Sequence, residues 1–264
     1  MKKIVQIHKE LLALPWMVKG WKKWADKIIV VNNITEYNKE LPIVAWAKPH
    51  DKIIGIALKN SYPTILMNRP YLSAHIRKQI DMFRVSVNSF ACSSFKEMPY
   101  SRWDKIGVGK HPWKVTEVKN ILIAPPNKGV VYFTGQKLDL WVEDLQTLFK
   151  DFNVKVRLNN STGAGRGERY SSLWNDFDWA DLVVSCASAS TAEAFWYGKK
   201  VISLGPCSTL MCNTGSLENF INPSEPANRD SWHEHIGWIQ FLESEWTSGN
   251  AQEMTAVYQG WNTN

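Results

Sequence analysis

The segment from Ala180 to Gly205, ADLVVSCASASTAEAFWYGKKVISLG, constrains the fold more than any other part of the chain. It opens with an apolar, β-branched run around Val183, which is typical of a strand covered on both faces. Small residues follow, then two turns of helix-compatible sequence in Thr191–Tyr197, and then Gly198, which suits the left-handed end of a helix. A second apolar run closes the segment. This order predicts a strand–helix–strand unit of a parallel sheet.

The turn inside this unit predicts an anion site. Residues 185–190 are all Ser, Ala or Cys, so a ligand can approach the backbone closely. A helix that begins in Ser and Thr just past a parallel strand presents free N–H groups and hydroxyls to an anion. A phosphate-bearing ligand is therefore one interpretation of the turn. The other is an ordinary capped helix that binds nothing.

Strand and helix patterns alternate along the rest of the chain. In the first half, residues 9–26 predict a helix broken near Pro15, and residues 105–120 predict a linker. Residues 73–95 fit no pattern. The strands of this half are predicted at residues 2–8, 27–31, 43–47, 53–58 and 64–67.

The second half repeats the alternation from Asn120 onward. Strands are predicted at 120–126 and 153–160, and helices at 134–152, around 173–178, at 231–246 and from 249. The fold class that results is α/β, with two Rossmann-like halves, a cleft between them and C-terminal helices. The predicted domains are an acceptor-side domain at 1–115, a donor-binding domain at 116–230, and terminal helices at 231–264.

Composition is that of a globular protein, with 44% hydrophobic and 21% charged residues. No run approaches the about 18 apolar residues that span a bilayer, and polar residues interrupt any signal core near the start, so we expect no membrane insertion and a cytoplasmic location. If the chain is encoded by a phage, that location is the host cytoplasm. The four cysteines form no C-x-x-C pair, which indicates reduced thiols and no structural metal.

Four segments carry a resemblance to a known family: ILIAPP, VRLNN, DLVVSCASASTAEAFWYGKKVISLGP and RDSWHEHIGWIQFLESEWTSGN. Over residues 120–250 the chain resembles the donor domain of GT-B glycosyltransferases, and especially short bacterial and phage glycosyltransferase-like proteins. The resemblance implies a nucleotide-diphosphate sugar as donor, a UDP-sugar first, with no cofactor required. No D-x-D element of the kind that metal-dependent transferases use is recognised, which argues against an obligatory metal. The D-F-D of Asp176 and Asp178 is interpreted as structural.

The resemblance also implies donor-binding residues. Glu193 matches a position that holds a ribose hydroxyl, although a first-turn carboxylate can also stabilise its own helix. Arg157 ends a strand at the ligand edge, where a phosphate contact and an ordinary ion pair are both open. The full donor set is Ser185, Ser188, Ser190 and Thr191 in the diphosphate turn, together with Lys128, Arg157 and Glu193.

Sugar transfer with inversion needs a general base, which should come from the first half. His8 ends the first strand and Asp81 lies beside Arg77, Lys78 and Arg84, which favours its ionised form. These two are the predicted catalytic residues. His50 and His75 are further candidates.

The acceptor is predicted from charge and aromatic content. The net charge is +6 and fourteen residues are Trp, which suits phosphate contacts and base stacking. The best match is a hydroxymethylated pyrimidine in double-stranded DNA, with Trp46, Arg69, Arg77, Arg84 and Arg102 as contacts. An envelope glycan acceptor, a nucleotide-sugar epimerase and a non-catalytic sugar-nucleotide-binding module are the alternatives. The oligomeric state is left open.

Overall fold

The computed structural model describes residues 3–48, 51–72, 82–89, 97, 99–125, 137–157, 166–186, 188–205, 207–209, 212, 220–221 and 224–259. The chain divides into two compact units. Unit 1 comprises Met1–Cys92, Lys96–Gly107 and Glu234–Asn264, and unit 2 comprises Ser93–Phe95 and Val108–His233. The domain limits drawn from the sequence stay a prediction, because spatial grouping does not test which segments fold independently.

Unit 1 is built on a sheet that has six strands among the described residues, in the order β10-β5-β4-β3-β1-β2. Strands β1 to β4 run parallel, while β5 is antiparallel to both of its neighbours. The strands are β1 (Ile4–His8), β2 (Lys27–Val31), β3 (Ile43–Trp46), β4 (Thr64–Asn68), β5 (Met82–Val87) and β10 (Gln240–Leu242).

Helices cover this sheet with their apolar faces. Helix α1 begins at Pro15, whose fixed φ suits the first helical position, and buries Met17 and Trp21 while its lysines stay exposed. A short 3₁₀ turn at Lys9–Ala13 precedes it, so the predicted break near Pro15 is confirmed. The unit's helices are α1 (Pro15–Trp24), α2 (Lys52–Lys59), α7 (Glu243–Ser248) and α8 (Asn250–Gln259).

The strand predicted at 53–58 is wrong, because these residues belong to helix α2. Six apolar residues in a row fit a buried strand and a buried helix equally well. The deciding signal is Asp51, whose side chain accepts from the N–H groups of Ile53 and Ile54 and so caps the helix.

The single helix predicted at 231–246 is also wrong. The chain forms α6 (Arg229–Trp238), then β10, then α7. Strand β10 pairs with β5, which lies inside the segment that fitted no pattern. The pairing buries Phe241 in the core of unit 1, and this tertiary contact overrides the local helical period.

Unit 2 contains a parallel sheet of four strands in the part of the chain that is described, in the order β7-β6-β8-β9. Its apolar strand residues pack into one core with Trp141 of the first helix and with Phe149, which follows that helix. The predicted α/β class is therefore confirmed. The elements are β6 (Asn120–Ala124), α3 (Leu138–Leu148), β7 (Asn153–Val156), α4 (Arg166–Trp179), β8 (Leu182–Ser185), α5 (Ala189–Trp196) and β9 (Lys200–Ser203).

The segment predicted as a linker is held against the end of α5. Lys114 N–H donates to the Gly198 carbonyl at 2.9 Å, and Trp196 Nε1–H donates to the Gly109 carbonyl at 2.7 Å. Gly198 has φ +86°, and a Cβ there would lie 2.1 Å from the Pro112 carbonyl oxygen. Only glycine fits this combination of left-handed backbone and close approach.

Candidate functional site

Each sheet has a topological switch point, which is the place where the connections of two neighbouring strands run to opposite sides. In unit 1 the chain leaves β1 for β2 on one side and later adds β3 on the other, so the switch lies between β1 and β3. In unit 2 the same reasoning places the switch between β6 and β8. Ligands of open α/β sheets bind beyond the carboxyl ends of the strands at this point.

His8 and Asp51 meet at the switch point of unit 1. His8 ends β1 and is 4% exposed, and its Nε2 lies 3.4 Å from Asp51 Oδ2. Asp51 follows β3, and its other oxygen, Oδ1, accepts from Ile53 and Ile54 N–H at 2.9 and 3.3 Å. The cap fixes the carboxylate, and the carboxylate orients the imidazole. An imidazole held in this way can accept a proton and be stabilised as the cation.

A second ion pair lies at the same edge. Glu10 follows β1 and Lys48 follows β3, and Glu10 Oε1 and Lys48 Nζ are 2.7 Å apart. Both side chains keep a third or more of their surface exposed. The edge therefore offers solvent an acceptor and a cation beside the buried His8–Asp51 pair.

Several predicted residues lie outside the described residues: the catalytic candidate Asp81, the alternatives His50 and His75, the acceptor candidate Arg77 and the donor candidate Lys128. Asp51 was not among the predicted site residues. An N-cap signal could have found it, because an Asp directly before an apolar run of helical length marks a helix start.

In unit 2 the predicted turn joins β8 to α5. Ser188 is the N-cap of α5, and its Oγ accepts from Ser190 N–H at 3.2 Å and lies 2.8 Å from Ser190 Oγ. Both serines are half-buried. They are the hydroxyls of this turn that keep exposed surface, and they stand at the amino end of a helix.

The other residues predicted for this turn face the interior. Ser185 is fully buried and its Oγ donates to the Ala124 carbonyl. Thr191 is 1% exposed, and its Oγ1 donates to the Ser188 carbonyl at 2.9 Å. Glu193 is 4% exposed, so it is not a solvated first-turn carboxylate. We revise the role of Ser185, Thr191 and Glu193 from ligand contacts to groups inside the fold behind the turn.

Cys207 supports the turn from a later segment and was not foreseen. Its Sγ donates to the Ser188 carbonyl at 3.1 Å and lies 2.9 Å from Thr191 Oγ1.

Burial raises the pKa of the Cys186 thiol, and it raises the pKa of the Cys212 thiol to about 12. These two thiols therefore stay protonated at neutral pH and are poor nucleophiles.

Arg157 follows β7 and forms an ion pair. Its Nη1 contacts Asp176 Oδ2, and Lys155 Nζ contacts Asp176 Oδ1. The Asp176 side chain is 5% exposed, which agrees with the structural role expected for it. Two cations therefore share this one carboxylate. Of the two alternatives for Arg157, the ion pair is present, and a phosphate contact stays a prediction.

Arg102, which was predicted to contact a DNA phosphate, has other partners in the structure. Arg102 is 5% exposed, and its Nη2 donates to both oxygens of Glu245 at 2.9 and 3.1 Å. Its Nε donates to the Gly237 carbonyl at 3.1 Å. The guanidinium is thus engaged by partners within unit 1.

The other described acceptor candidates differ in exposure. Arg84 is half-buried and lies over the Tyr71 ring, 4.1 Å from its centroid. Trp46 is half-buried and meets Phe83 edge to face at 6.0 Å. Arg69 is exposed. Trp46 therefore does not present an exposed aromatic ring for base stacking.

Neither a metal centre nor a membrane span is found in the described ranges. No group of three or more His, Cys, Asp or Glu side chains in those ranges is placed to hold a metal ion. Among the same residues, every helix is too short or too polar to cross a bilayer.

No protein-family model matches the sequence, and no curated protein matches it. Among solved structures, the chain is similar to the β-Kdo 2,7-transferase of Thermosulfurimonas dismutans KpsC, with a TM-score of 0.51 and 9% identity over 94% of this chain and 99% of that chain. The β-Kdo 2,4-transferase of the same KpsC has a TM-score of 0.49 and 9% identity over 92% of each chain. The first likeness shows that this chain shares its fold with that transferase structure.

Proposed function

We propose that the protein is a glycosyltransferase that moves a sugar from a nucleotide-sugar donor to an acceptor hydroxyl. A fold hosts many activities, so the proposal depends on the chemistry of the site. The observation that carries it is the His8–Asp51 pair at the switch point of unit 1, in a chain with the fold of a glycosyltransferase.

His8 is assigned the role of general base. The acceptor oxygen attacks the anomeric carbon, the bond from that carbon to the donor phosphate oxygen breaks, and the acceptor proton passes to His8. The accepting atom is Nδ1, because Nε2 faces Asp51. Asp51 is a positioning residue that stabilises the imidazolium as it forms.

Unit 2 is assigned donor binding. The half-buried hydroxyls of Ser188 and Ser190 stand at the amino end of α5, where the helix dipole and free N–H groups favour an anion. Lys155 and Arg157 add positive charge at the end of β7. Such groups stabilise the negative charge that develops on a departing phosphate. A UDP-sugar is the first donor to test.

We assign a saccharide hydroxyl as the acceptor. The neighbouring fold belongs to a protein titled a Kdo transferase, and the DNA prediction loses Arg102 and Trp46 as exposed contacts. DNA is the second candidate. The observation in its favour is an exposed basic face on α1, formed by Lys19, Lys22 and Lys23.

The test is incubation of the purified protein with nucleotide sugars and three acceptor conditions: oligosaccharides, hydroxymethylated and plain duplex DNA, and no acceptor. Nucleotide release and product mass are measured. Release that depends on an oligosaccharide supports the proposal, and His8→Ala should lower it by about 10²- to 10⁴-fold. The exposed Lys59→Met variant is the control, and it should keep full activity.

The same experiment separates the alternatives. Modified DNA as the product would replace the saccharide acceptor, and binding to duplex should then fall steeply with salt. Conversion of the sugar nucleotide without any acceptor would indicate an epimerase. Donor binding with no release under every acceptor condition would indicate a binding module.

A further inference from the structure

A cavity of about 390 Å³ opens on the surface of unit 1. One wall is the segment that contains Tyr100 and Lys105, and the other is formed by α7 and the first turn of α8, including Asn250 and Glu253. Neither His8 nor Asp51 lines it. The cavity is therefore a separate feature of the same unit.

The floor of the cavity is a fixed, neutral ion pair. Arg102 and Glu245 both line it, and they are joined by two hydrogen bonds of 2.9 and 3.1 Å. Glu245 Oε2 also accepts from Leu242 N–H at 2.9 Å. Because both charged groups are held by several contacts, the floor is rigid and offers polar atoms without net charge.

Tyr100 supplies an aromatic surface at the rim. The residue is 57% exposed, yet its ring lies 4.9 Å from the Trp238 ring, and its carbonyl accepts from Trp238 Nε1–H at 2.8 Å. Met254 lines the same cavity. A held aromatic ring beside polar groups suits a pyranose, which has an apolar C–H face and a rim of hydroxyls.

The charged residues that line the cavity are two cations and two carboxylates, and Lys3, which pairs with Glu253 from outside the lining, brings one cation in excess. Glu253 accepts from Trp24 Nε1–H at 2.6 Å and pairs with Lys3 at 3.3 Å. The hydrogen bond from Trp24 lowers the pKa of Glu253, so the group is a carboxylate at neutral pH. Arg102 is paired with Glu245. Within the described residues, the ion pairs do not include the exposed Lys105.

The amino end of α8 adds to this positive character. Asn250, the first residue of this ten-residue helix, lines the cavity. The positive end of the helix dipole favours a negative group here, while the Asn250 N–H itself donates to Ser248 Oγ at 3.3 Å. One free ammonium and one helix start match a single carboxylate. A diphosphate usually needs more donors than these.

The cavity lies at the sheet edge opposite to His8. Glu253 pairs with Lys3, which precedes β1, whereas His8 ends that strand. His8 is five positions after Lys3, which is about 16 Å along a strand at about 3.3 Å per residue. A group bound in the cavity is thus remote from the reacting hydroxyl.

We propose that this cavity is an accessory site for a saccharide that carries a carboxylate, and that it holds a remote part of the acceptor chain. The carboxylate binds Lys105 and the start of α8, and a sugar ring stacks on Tyr100. This inference depends on the proposed function for the identity of the acceptor, but its binding chemistry can be tested alone.

The test is calorimetric titration of the full chain with trigalacturonic acid and with its methyl ester, which keeps the size and removes the charge. We expect the acid to bind about fivefold more tightly than the ester, which is the range of an exposed ion pair. Lys105→Met should remove this difference, whereas the control Lys59→Met should keep it. Tyr100→Ala should weaken both ligands about tenfold.

Equal binding of acid and ester to the unaltered protein, or no binding of either at millimolar concentration, would overturn the proposal. If Tyr100→Ala does not fold, the Lys105→Met comparison decides, because that side chain is exposed. His8→Ala should lower transfer by about 10²- to 10⁴-fold and leave this binding intact. If the acid binds at Lys105 but no sugar is transferred, the accessory site is supported and the proposed function is refuted.

Discussion

His8 Nε2 lies 3.4 Å from Asp51 Oδ2, while Asp51 Oδ1 caps helix α2. One carboxylate therefore serves the site and the fold together. The two roles can be separated by substitution, because asparagine is as good an N-cap as aspartate but carries no charge.

We expect Asp51→Asn to keep the stability of the protein and to lower kcat at least about tenfold, a part of the factor that a general base contributes. Asp51→Ala should lose the same activity and also about 1 kcal/mol of unfolding free energy. Urea unfolding and steady-state kinetics at saturating donor measure the two effects. Full activity in Asp51→Asn would reduce Asp51 to a cap.

Gly20 of α1 is pressed against α7. A Cβ at this position would lie 1.6 Å from the Trp246 carbonyl oxygen and 2.6 Å from Gln252 Nε2. Gly20→Ala should therefore separate the two helices and lower the unfolding free energy by about 3 kcal/mol or more, at or above the usual range for overpacking. Gly109→Ala is the control, because a Cβ there meets nothing within 4 Å. Equal midpoints of urea unfolding for the two variants would refute the close packing.

The parallel strands were predictable from the sequence because their signals are local. The run around Val183, with a small-residue turn and Gly198 after the helix, has one structural solution, and β8, α5 and β9 follow it. Strand β10 was not predictable in this way. Residues 240–242 become a strand only because β5 offers them an edge, and such a contact leaves no period in the sequence.

The turn before α5 was predictable from the sequence, and the orientation of each of its side chains was not. The Ser-rich stretch marks where α5 begins, but Ser185 and Thr191 point to internal acceptors while Ser188 and Ser190 keep exposed surface. The positive charge of Arg102 was likewise a poor guide to what its side chain contacts. The sequence alone does not distinguish an arginine that pairs with a distant residue such as Glu245 from an arginine that binds a phosphate.

Arg102 is buried and its partner Glu245 is half-buried, so we expect the loss of one partner to cost more than the loss of both. Arg102→Met leaves an unpaired carboxylate and should lower the unfolding free energy by about 3–5 kcal/mol. Adding Glu245→Leu should restore part of this loss, since the double variant contains no buried charge at the site. A double-mutant cycle by urea unfolding measures the coupling. Additive losses would show that the two side chains act independently.

Ser190 is half-buried, and we expect that removal of its hydroxyl costs the fold little stability. Ser190→Ala should weaken the binding of a nucleotide sugar by about tenfold or more, because a hydrogen bond to a charged group contributes about 1.5–3 kcal/mol. Thr247→Ala, a hydroxyl that donates to the Glu243 carbonyl in unit 1, is the control for a lost hydroxyl elsewhere. Titration with UDP and a UDP-sugar measures the change. Unaltered affinity in Ser190→Ala would remove the turn from the donor site.

His233 makes the stability of the protein sensitive to acid. Burial, and then the positive charges of Arg229 and Lys110, lowers the pKa of His233 from 6.5 to about 3. Between pH 6.5 and about pH 3 the unfolded chain therefore binds a proton at His233 that the folded chain does not bind. The free energy of unfolding thus falls as the pH drops below 6.5. A single group of this kind contributes a slope of about 1.4 kcal/mol per pH unit between about pH 6 and pH 4. His233→Gln should reduce the measured slope of unfolding free energy against pH by that amount in this window and leave the slope above pH 7 unchanged. An identical slope in the two proteins below pH 6 would mean that His233 takes up its proton in the folded state.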